Sequence, residues 1–313
     1  MITEEFYFPS KDGKTTIHAI KWMNDEKQYR AILQVTHGMI EYIERYTAFA
    51  EFLTGHGFLV VGHDHLGHGE SIISAADYGY FAEVRHPSDI LVDDMHTLRT
   101  MIQKEKEGVP YFMFAHSMGS YLLRKYLTKY PKKLSGAILC GTGYLPWTTT
   151  TMGLMVVRAC QAIKGAHFRS PGITKMTYGA SYRKFDMTGQ DLTNSWLTRD
   201  TEMVAFYGKD PKCGYLFTVN GYQGLIETVK FDCKQKNVDL IPNELPIMFV
   251  SGEDDPVGDL GKGVRKVYRM FQKSKKEDVT CKLYPKMRHE IINEIGKEEV
   301  YQDILNWMEN HIK

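Results

Sequence analysis

Tyr111-Phe112-Met113-Phe114-Ala115-His116-Ser117-Met118-Gly119 runs from a short apolar segment straight into a turn of small residues. The apolar part reads as a strand buried on both faces. Ala-x-Ser-x-Gly follows at once, and Gly119 through Leu127 then reads as a helix closed by Pro131. A strand passing into a helix through so tight a turn strains its central residue and lifts the Ser117 hydroxyl clear of the backbone. It also places that hydroxyl beside the free N–H groups of the helix N-terminus. Small residues at 115 and 119 keep strand and helix from clashing. Ala115 stands where this pattern more often has Gly, and its methyl is tolerable where the backbone is not at positive φ. The pattern [GA]-x-S-x-G arises by chance on the order of 0.2 times in a chain of this length, so the flanking strand and helix carry the reading. The plainer alternative is an ordinary strand–helix turn with a surface serine.

Outward from this unit, strands and helices alternate. Phe6–Phe8 and Thr15–Trp22 read as a hairpin turned at Lys11-Asp12-Gly13. Ala31–Thr36 and Phe58–Gly62 read as buried strands with a helix between them that ends at Gly55-His56-Gly57. Ser88 opens a helix with Ile90, Leu91, Met95 and Leu98 roughly on one face. Gly136–Cys140 is the strand after the serine turn. Alternation then stops until Leu245–Ser251, a helix around Val264–Phe271, a strand Val279–Tyr284 and a final helix around Glu299–Asn310. The class is α/β, with a mostly parallel central sheet flanked by helices. The core is expected over 1–140 and 241–313. The interval 141–240, rich in Met, Trp, Phe, Tyr, Thr and Gly, reads as an inserted, mainly helical cap. An insertion there lies over the carboxyl ends of the strands, where open α/β sheets bind ligands.

Composition narrows the function. Of 313 residues, 43% are hydrophobic and 25% charged, ordinary for a soluble globular chain. The net charge of +1 carries no electrostatic footprint for nucleic acid. The opening Met1-Ile2-Thr3-Glu4-Glu5-Phe6 lacks the basic and apolar regions of a secretory signal. No apolar stretch approaches bilayer length. The five cysteines (Cys140, Cys160, Cys213, Cys233, Cys281) are odd in number and form no C-x-x-C pair, so neither a disulfide framework nor a zinc site is expected. A reducing cytoplasm is the simple expectation.

A serine hydroxyl needs a base to take its proton, and the base needs an acid to orient it. In a strand–turn–helix serine site those partners follow in the order acid, then histidine. Of the twelve histidines only His289 and His311 follow the late strands, and His311 lies at the tail of the final helix. His289, in the loop Pro285-Lys286-Met287-Arg288-His289-Glu290, is the candidate base. The acid belongs just past Ile247–Val250, where Glu253, Asp254 and Asp255 compete. Pro256 restricts the backbone of Asp255 and fixes its direction, which favours Asp255. The oxyanion of a tetrahedral intermediate needs two N–H donors. Met118, directly after the serine, supplies one, and Met39 in the loop His37-Gly38-Met39 the other.

His37-Gly38-Met39-Ile40-Glu41 with Arg45-Tyr46, His63-Asp64-His65-Leu66-Gly67-His68-Gly69-Glu70-Ser71, Ala115-His116-Ser117-Met118-Gly119, Ser251-Gly252-Glu253-Asp254-Asp255 and Arg288-His289-Glu290 are spread over nearly the whole chain. In this order they resemble the α/β-hydrolases of the monoacylglycerol lipase and lysophospholipase group. The Asp-His-x-Gly-His-Gly-x-Ser loop is the most specific of them. The resemblance implies an α/β-hydrolase fold and serine-dependent hydrolysis of esters with a single acyl chain. It also places the acid three residues after the loop glycine, again at Asp255. It weakens across the cap, where substrate preference is decided.

The expected substrate is therefore a small-molecule ester or lipid, cleaved through an acyl-enzyme, with no cofactor and no metal. The spacing of His63, Asp64, His65 and His68 fits no usual zinc pattern, and a packed, hydrogen-bonded turn is the better reading. Glu41 and Arg45, at i and i+4, read as a pair on a helix surface. Trp147, Met152, Met155, Trp196, Phe206 and Phe217 either line an acyl channel or form a small cap core. Transient contact of the cap with a membrane surface fits a lipid substrate. Two rivals stay open: an aminopeptidase or other amide hydrolase on the same scaffold, and a catalytically dead binding homologue.

Overall fold

The structure, a computed structural model, describes residues 1–25 and 28–312. Eight strands form one sheet: β1 (Ile2–Pro9), β2 (Thr16–Met23), β3 (Ala31–Thr36), β4 (Phe58–His63), β5 (Tyr111–His116), β6 (Gly136–Cys140), β7 (Ile247–Gly252) and β8 (Val279–Tyr284). Their order is β1-β2-β4-β3-β5-β6-β7-β8. Only the β1–β2 and β2–β4 pairs are antiparallel. Every pair from β4 to β8 is parallel. The chain leaves β3 towards β4 on one side and continues to β5 on the other. That reversal opens a crevice at the carboxyl ends of β3 and β5.

Parallel strands need helical crossovers, and these cover both faces. The helices are α1 (Thr47–Gly55), α2 (Pro87–Glu105), α3 (Met118–Lys129), α4 (Trp147–Lys164), α5 (Pro171–Thr177), α6 (Thr201–Lys209), α7 (Val219–Asp232), α8 (Gln235–Val238), α9 (Lys262–Lys273) and α10 (Lys297–Glu309). Leu91, Met95 and Leu98 of α2, Leu122 and Leu127 of α3, and Val264 and Phe271 of α9 pack with Tyr111, Met113 and Ala115 of β5. Phe49 and Leu53 of α1, with Ile304, Trp307 and Met308 of α10, share the second core with Phe112 and Phe114. Successive residues of β5 thus feed opposite cores, which is why the strand is apolar throughout.

The expected α/β-hydrolase architecture is present. Between β6 and β7, residues 141–246 contribute no strand to the sheet. Helix α7, inside the expected cap interval, sinks Val219 and Tyr222 into the core that holds α2 and α3. Arg124 of α3 donates to the Asp232 carbonyl at 2.8 Å, tying the end of α7 to the body.

The β1–β2 turn is pinned to α2 by Asp94, which is fully buried. Its carboxylate accepts from Ser10 Oγ at 2.7 Å and from the Lys11 N–H at 2.7 Å. Burial outweighs these hydrogen bonds and pushes the carboxyl up to about 7. A folded pKa above the unfolded one gives stability that is complete below the unfolded value and is lost as pH rises through the folded value. Wild-type resistance to urea should therefore fall between about pH 4 and pH 8, by on the order of 2–4 kcal/mol. Asp94→Asn, which still accepts from Lys11, should flatten that slope in pH-resolved urea titrations.

Candidate active site

Ser117 joins β5 to α3 with φ 52° and ψ −121°. A non-glycine residue there is held at a cost on the order of 1–3 kcal/mol. The surroundings enforce it: the Ser117 N–H donates to the Cys140 carbonyl of β6 at 3.0 Å, and the Ser120 N–H and Oγ both donate back to the Ser117 carbonyl. A Cβ on Gly119 would lie 2.5 Å from the carbonyl oxygens of Thr36 and His37, so only glycine lets α3 approach the end of β3. Ala115 is not among the left-handed residues, and its methyl is absorbed into the core.

His289 and Asp255 meet beside this turn. His289 Nδ1 lies 3.0 Å from Asp255 Oδ1, both groups being buried, although the N–H direction is off line for a hydrogen bond. Asp255 also accepts from the Val257 N–H at 2.8 Å and from Ser251 Oγ at 3.1 Å. The neighbouring acids face elsewhere. Asp254 pairs with Lys184 at 2.6 Å, and Glu253 lies 3.7 Å from Arg265. His116, directly before Ser117, places its ring 4.5 Å from the His289 ring. The ends of β7 and β8 thus bring Asp255 and His289 together, and His289 lies against His116, the residue that β5 places directly before Ser117.

The loop after β3 closes over the serine. A Cβ on Gly38 would stand 3.0 Å from Ser117 Cβ, so the backbone leading into Met39 runs against the serine. Met118 is the first residue of α3, whose N–H has no acceptor within the helix. His37 holds the loop: its Nε2 accepts the His65 N–H at 2.8 Å, which leaves Nδ1 to donate to the Gly38 carbonyl at 2.7 Å. His37 is therefore neutral, and burial depresses its pKa accordingly.

Beside it the histidine-rich turn is organised by Asp64, which accepts from the N–H groups of Ile43 and Glu70 and pairs with His18 Nδ1 at 2.8 Å. Burial pushes His63 and His68 down to about 3. The rings of His37, His65 and His68 lie against one another, with centroids 4.4 Å to 6.3 Å apart. Among the described residues no three His, Cys, Asp or Glu side chains converge to hold a metal ion.

The sequence reading missed the largest polar feature of the site. Glu41 and Arg45 are not a surface pair. Both are buried, and Arg45 bridges Glu41 at 2.9 Å to Glu290, which it grips through two bonds of 2.9 Å and 2.7 Å. Glu41 also accepts from the Gly38 N–H at 2.5 Å, Tyr46 OH at 3.0 Å and His116 Nδ1 at 3.0 Å. His116 Nε2 faces the His289 carbonyl at 3.2 Å. With acceptors at both ring nitrogens, His116 satisfies both only as the imidazolium. Burial opposes that charge, but the Glu41 hydrogen bond and charge raise its pKa, while His116 and Arg45 hold Glu41 well below the usual carboxylate range. The available signal was Glu290, a second carboxylate directly after the candidate base.

The apolar cap residues separate in the structure. Phe217 is fully buried and packs on Phe81, Tyr222 and His68, so it belongs to the core. Trp147, Met152, Met155 and Phe206 are exposed. Trp196 lies against the His289 ring, with centroids 5.3 Å apart.

A mostly parallel sheet with a strained strand–serine–helix turn defines the α/β-hydrolase class. The profile of the family described as serine aminopeptidase, S33, matches residues 27–296, and the chain belongs to that family. It is 26% identical over 283 residues to a monoacylglycerol lipase of Mycolicibacterium smegmatis, covering 90% of this chain and 89% of that one. It is 25% identical over 290 residues to the mouse monoglyceride lipase, covering 90% and 84%. A carboxyl esterase from Bacillus coagulans superposes over 100% of both chains with a TM-score of 0.90 at 27% identity. These relatives place the chain among the lipases and esterases of the fold. Among the described residues no helix is long and apolar enough to cross a membrane.

The buried network makes a stability prediction. Removing the cation of a buried ion cluster leaves uncompensated charge and costs about 3–5 kcal/mol. Arg45→Met, which strands Glu41 and Glu290, should lower stability in urea by about that amount at neutral pH. The double variant with Glu41→Gln should recover part of the loss.

Proposed function

We propose that this enzyme hydrolyses carboxylic esters bearing a single acyl chain, of the monoacylglycerol or lysophospholipid type, through an acyl-enzyme on Ser117. The observation that carries this reading is the contact of His289 with Asp255, at 3.0 Å, beside the His116 ring that directly precedes the strained Ser117 turn. His289 takes the Ser117 proton as Oγ attacks the ester carbonyl, and Asp255 orients the imidazole and balances its charge. The N–H groups of Met39 and Met118 receive the oxyanion. His289 returns the proton to the leaving alcohol. Water, activated by the same imidazole, then releases the acid and frees the serine. The off-line contact between His289 and Asp255 straightens when substrate binds, as catalytic hydrogen bonds commonly do.

The segment 141–240 serves as the cap in this reading. Trp147, Met152 and Ile163 of α4 are 61%, 63% and 78% exposed, and Met176 of α5 is 67% exposed. An apolar display of this kind on the cap suits contact with the lipid surface from which the substrate is drawn.

Ser117→Ala and His289→Ala should each lower ester hydrolysis by about four to six orders of magnitude with unchanged circular dichroism. Asp255→Asn should be severe and Asp254→Asn mild. Retained activity in Ser117→Ala or His289→Ala would overturn the assignment, and the reverse ranking of the aspartates would move the acid by one position.

Across p-nitrophenyl esters of rising chain length, kcat/KM should climb several-fold per methylene, following about 0.8 kcal/mol per buried CH₂, to a maximum at medium or long chains. A maximum at acetate would exclude the acyl-chain reading. An aminoacyl anilide is the control for the amide hydrolysis that the family's description suggests, and should be turned over far more slowly.

A further inference from the structure

We propose that Trp196 is a positioning residue for His289, holding the imidazole in place and facing the charge it gains when it takes the serine proton, and is not a contact for the acyl chain. The inference rests on His289 being the base. The indole belongs to the inserted segment, yet its place is set by the loop that carries His289. Arg288 donates to the carbonyls of Thr193, Ser195 and Thr198. The N–H groups of His289 and Glu290 donate to the carbonyls of Trp196 and Leu197 at 3.4 Å and 2.7 Å. Thr198 Oγ1 reaches the Asn293 carbonyl at 3.1 Å, and Arg199 Nε reaches Glu294 at 3.0 Å. Residues 193–199 are therefore a strap laced to residues 288–294. Tyr182 packs edge-on against the indole at 5.4 Å, with Tyr178 at 6.4 Å.

The strap holds the indole 5.3 Å from the His289 ring with 32° between the planes, within the range of a cation–π contact. The other groups around His289 make that contact matter. Asp255 faces Nδ1 from the loop after β7. His116, from β5, presents its imidazolium ring 4.5 Å away, a like charge facing any that His289 gains during the reaction. Glu290 is turned away into the Arg45 pair, and Arg288 is turned into the strap. When His289 takes the serine proton, Asp255 and the indole face are what offset the His116 charge. The attraction to the indole strengthens only as that positive charge develops, so it lowers the barrier more than it tightens substrate binding.

The test compares Trp196→Phe and Trp196→Leu with wild type on p-nitrophenyl acetate and p-nitrophenyl octanoate between about pH 5 and pH 9. Leucine keeps apolar bulk without a π face, and phenylalanine keeps a weaker one. The expected result is a fall in kcat of roughly tenfold for Leu and less for Phe, equal on both esters, with KM little changed. The acid limb of kcat/KM should move to lower pH in Trp196→Leu, because the protonated base has lost a stabilising partner. A loss that grows with chain length would assign Trp196 to acyl binding and overturn the proposal. An equal loss in both variants with an unmoved acid limb would leave only a packing role and would also overturn it. Matched thermal midpoints show whether both variants fold, and Phe remains informative if Leu does not. An active His289→Ala would defeat the assignment of the base. Inactive His289→Ala beside wild-type kinetics in both Trp196 variants would defeat this proposal alone.

Discussion

A backbone turned to φ 52° at Ser117 cannot continue a strand or a helix, and the rest of the molecule is arranged so that it need do neither. β5 delivers the residue from between two cores, and α3 leaves at once. The strain is sustained because β5 and α3 are each buried independently, so relaxing one residue would mean unseating a strand or a helix. The carbonyls of Thr36, at the end of β3, and of His37, just past it, leave no room for a side chain at 119, so α3 packs this close only through glycine. A rigid exit from the sheet is what makes the serine hydroxyl a fixed point.

The buried ions behind that point do a second job. Two carboxylates and two cations sit out of water, a costly arrangement that hydrophobic side chains would often match or better in stability alone. What apolar packing could not supply is direction. Glu41 takes the Gly38 N–H, and His116 takes the His289 carbonyl, so one cluster orients both the loop leading to Met39 and the loop carrying His289.

Most of the fold was legible because its signals are local. Strands buried on both faces read as unbroken apolar runs, and Ala31–Thr36, Tyr111–His116 and Ile247–Gly252 are wholly buried. Ser117, Asp255 and His289 could be named as candidates because chain order, a following proline and a short loop narrow the choices, and the last two lie 3.0 Å apart. The network could not be, because Arg45 and Glu290 are 245 positions apart and an i,i+4 pair looks the same buried or exposed. The cap residues failed for a related reason. Phe217 stands outside any helix and Trp147 opens α4, so neither sits within a helical period, and nothing in the order of residues separated Phe217, sunk in the core, from Trp147, out in solvent.

The parallel order has a consequence for what the edge of the sheet holds in place. Ser117 follows β5 near the middle of the sheet, but His289 follows β8, the outermost strand on that side, with β6 and β7 between them. Glu290, which neutralises Arg45, comes with it. Without β8 and the loop after it, Arg45 would keep Glu41 alone as its carboxylate partner. One loop at the edge of the sheet thus carries both the proposed base and the second carboxylate of the buried cluster, and whatever loosens that edge disturbs both.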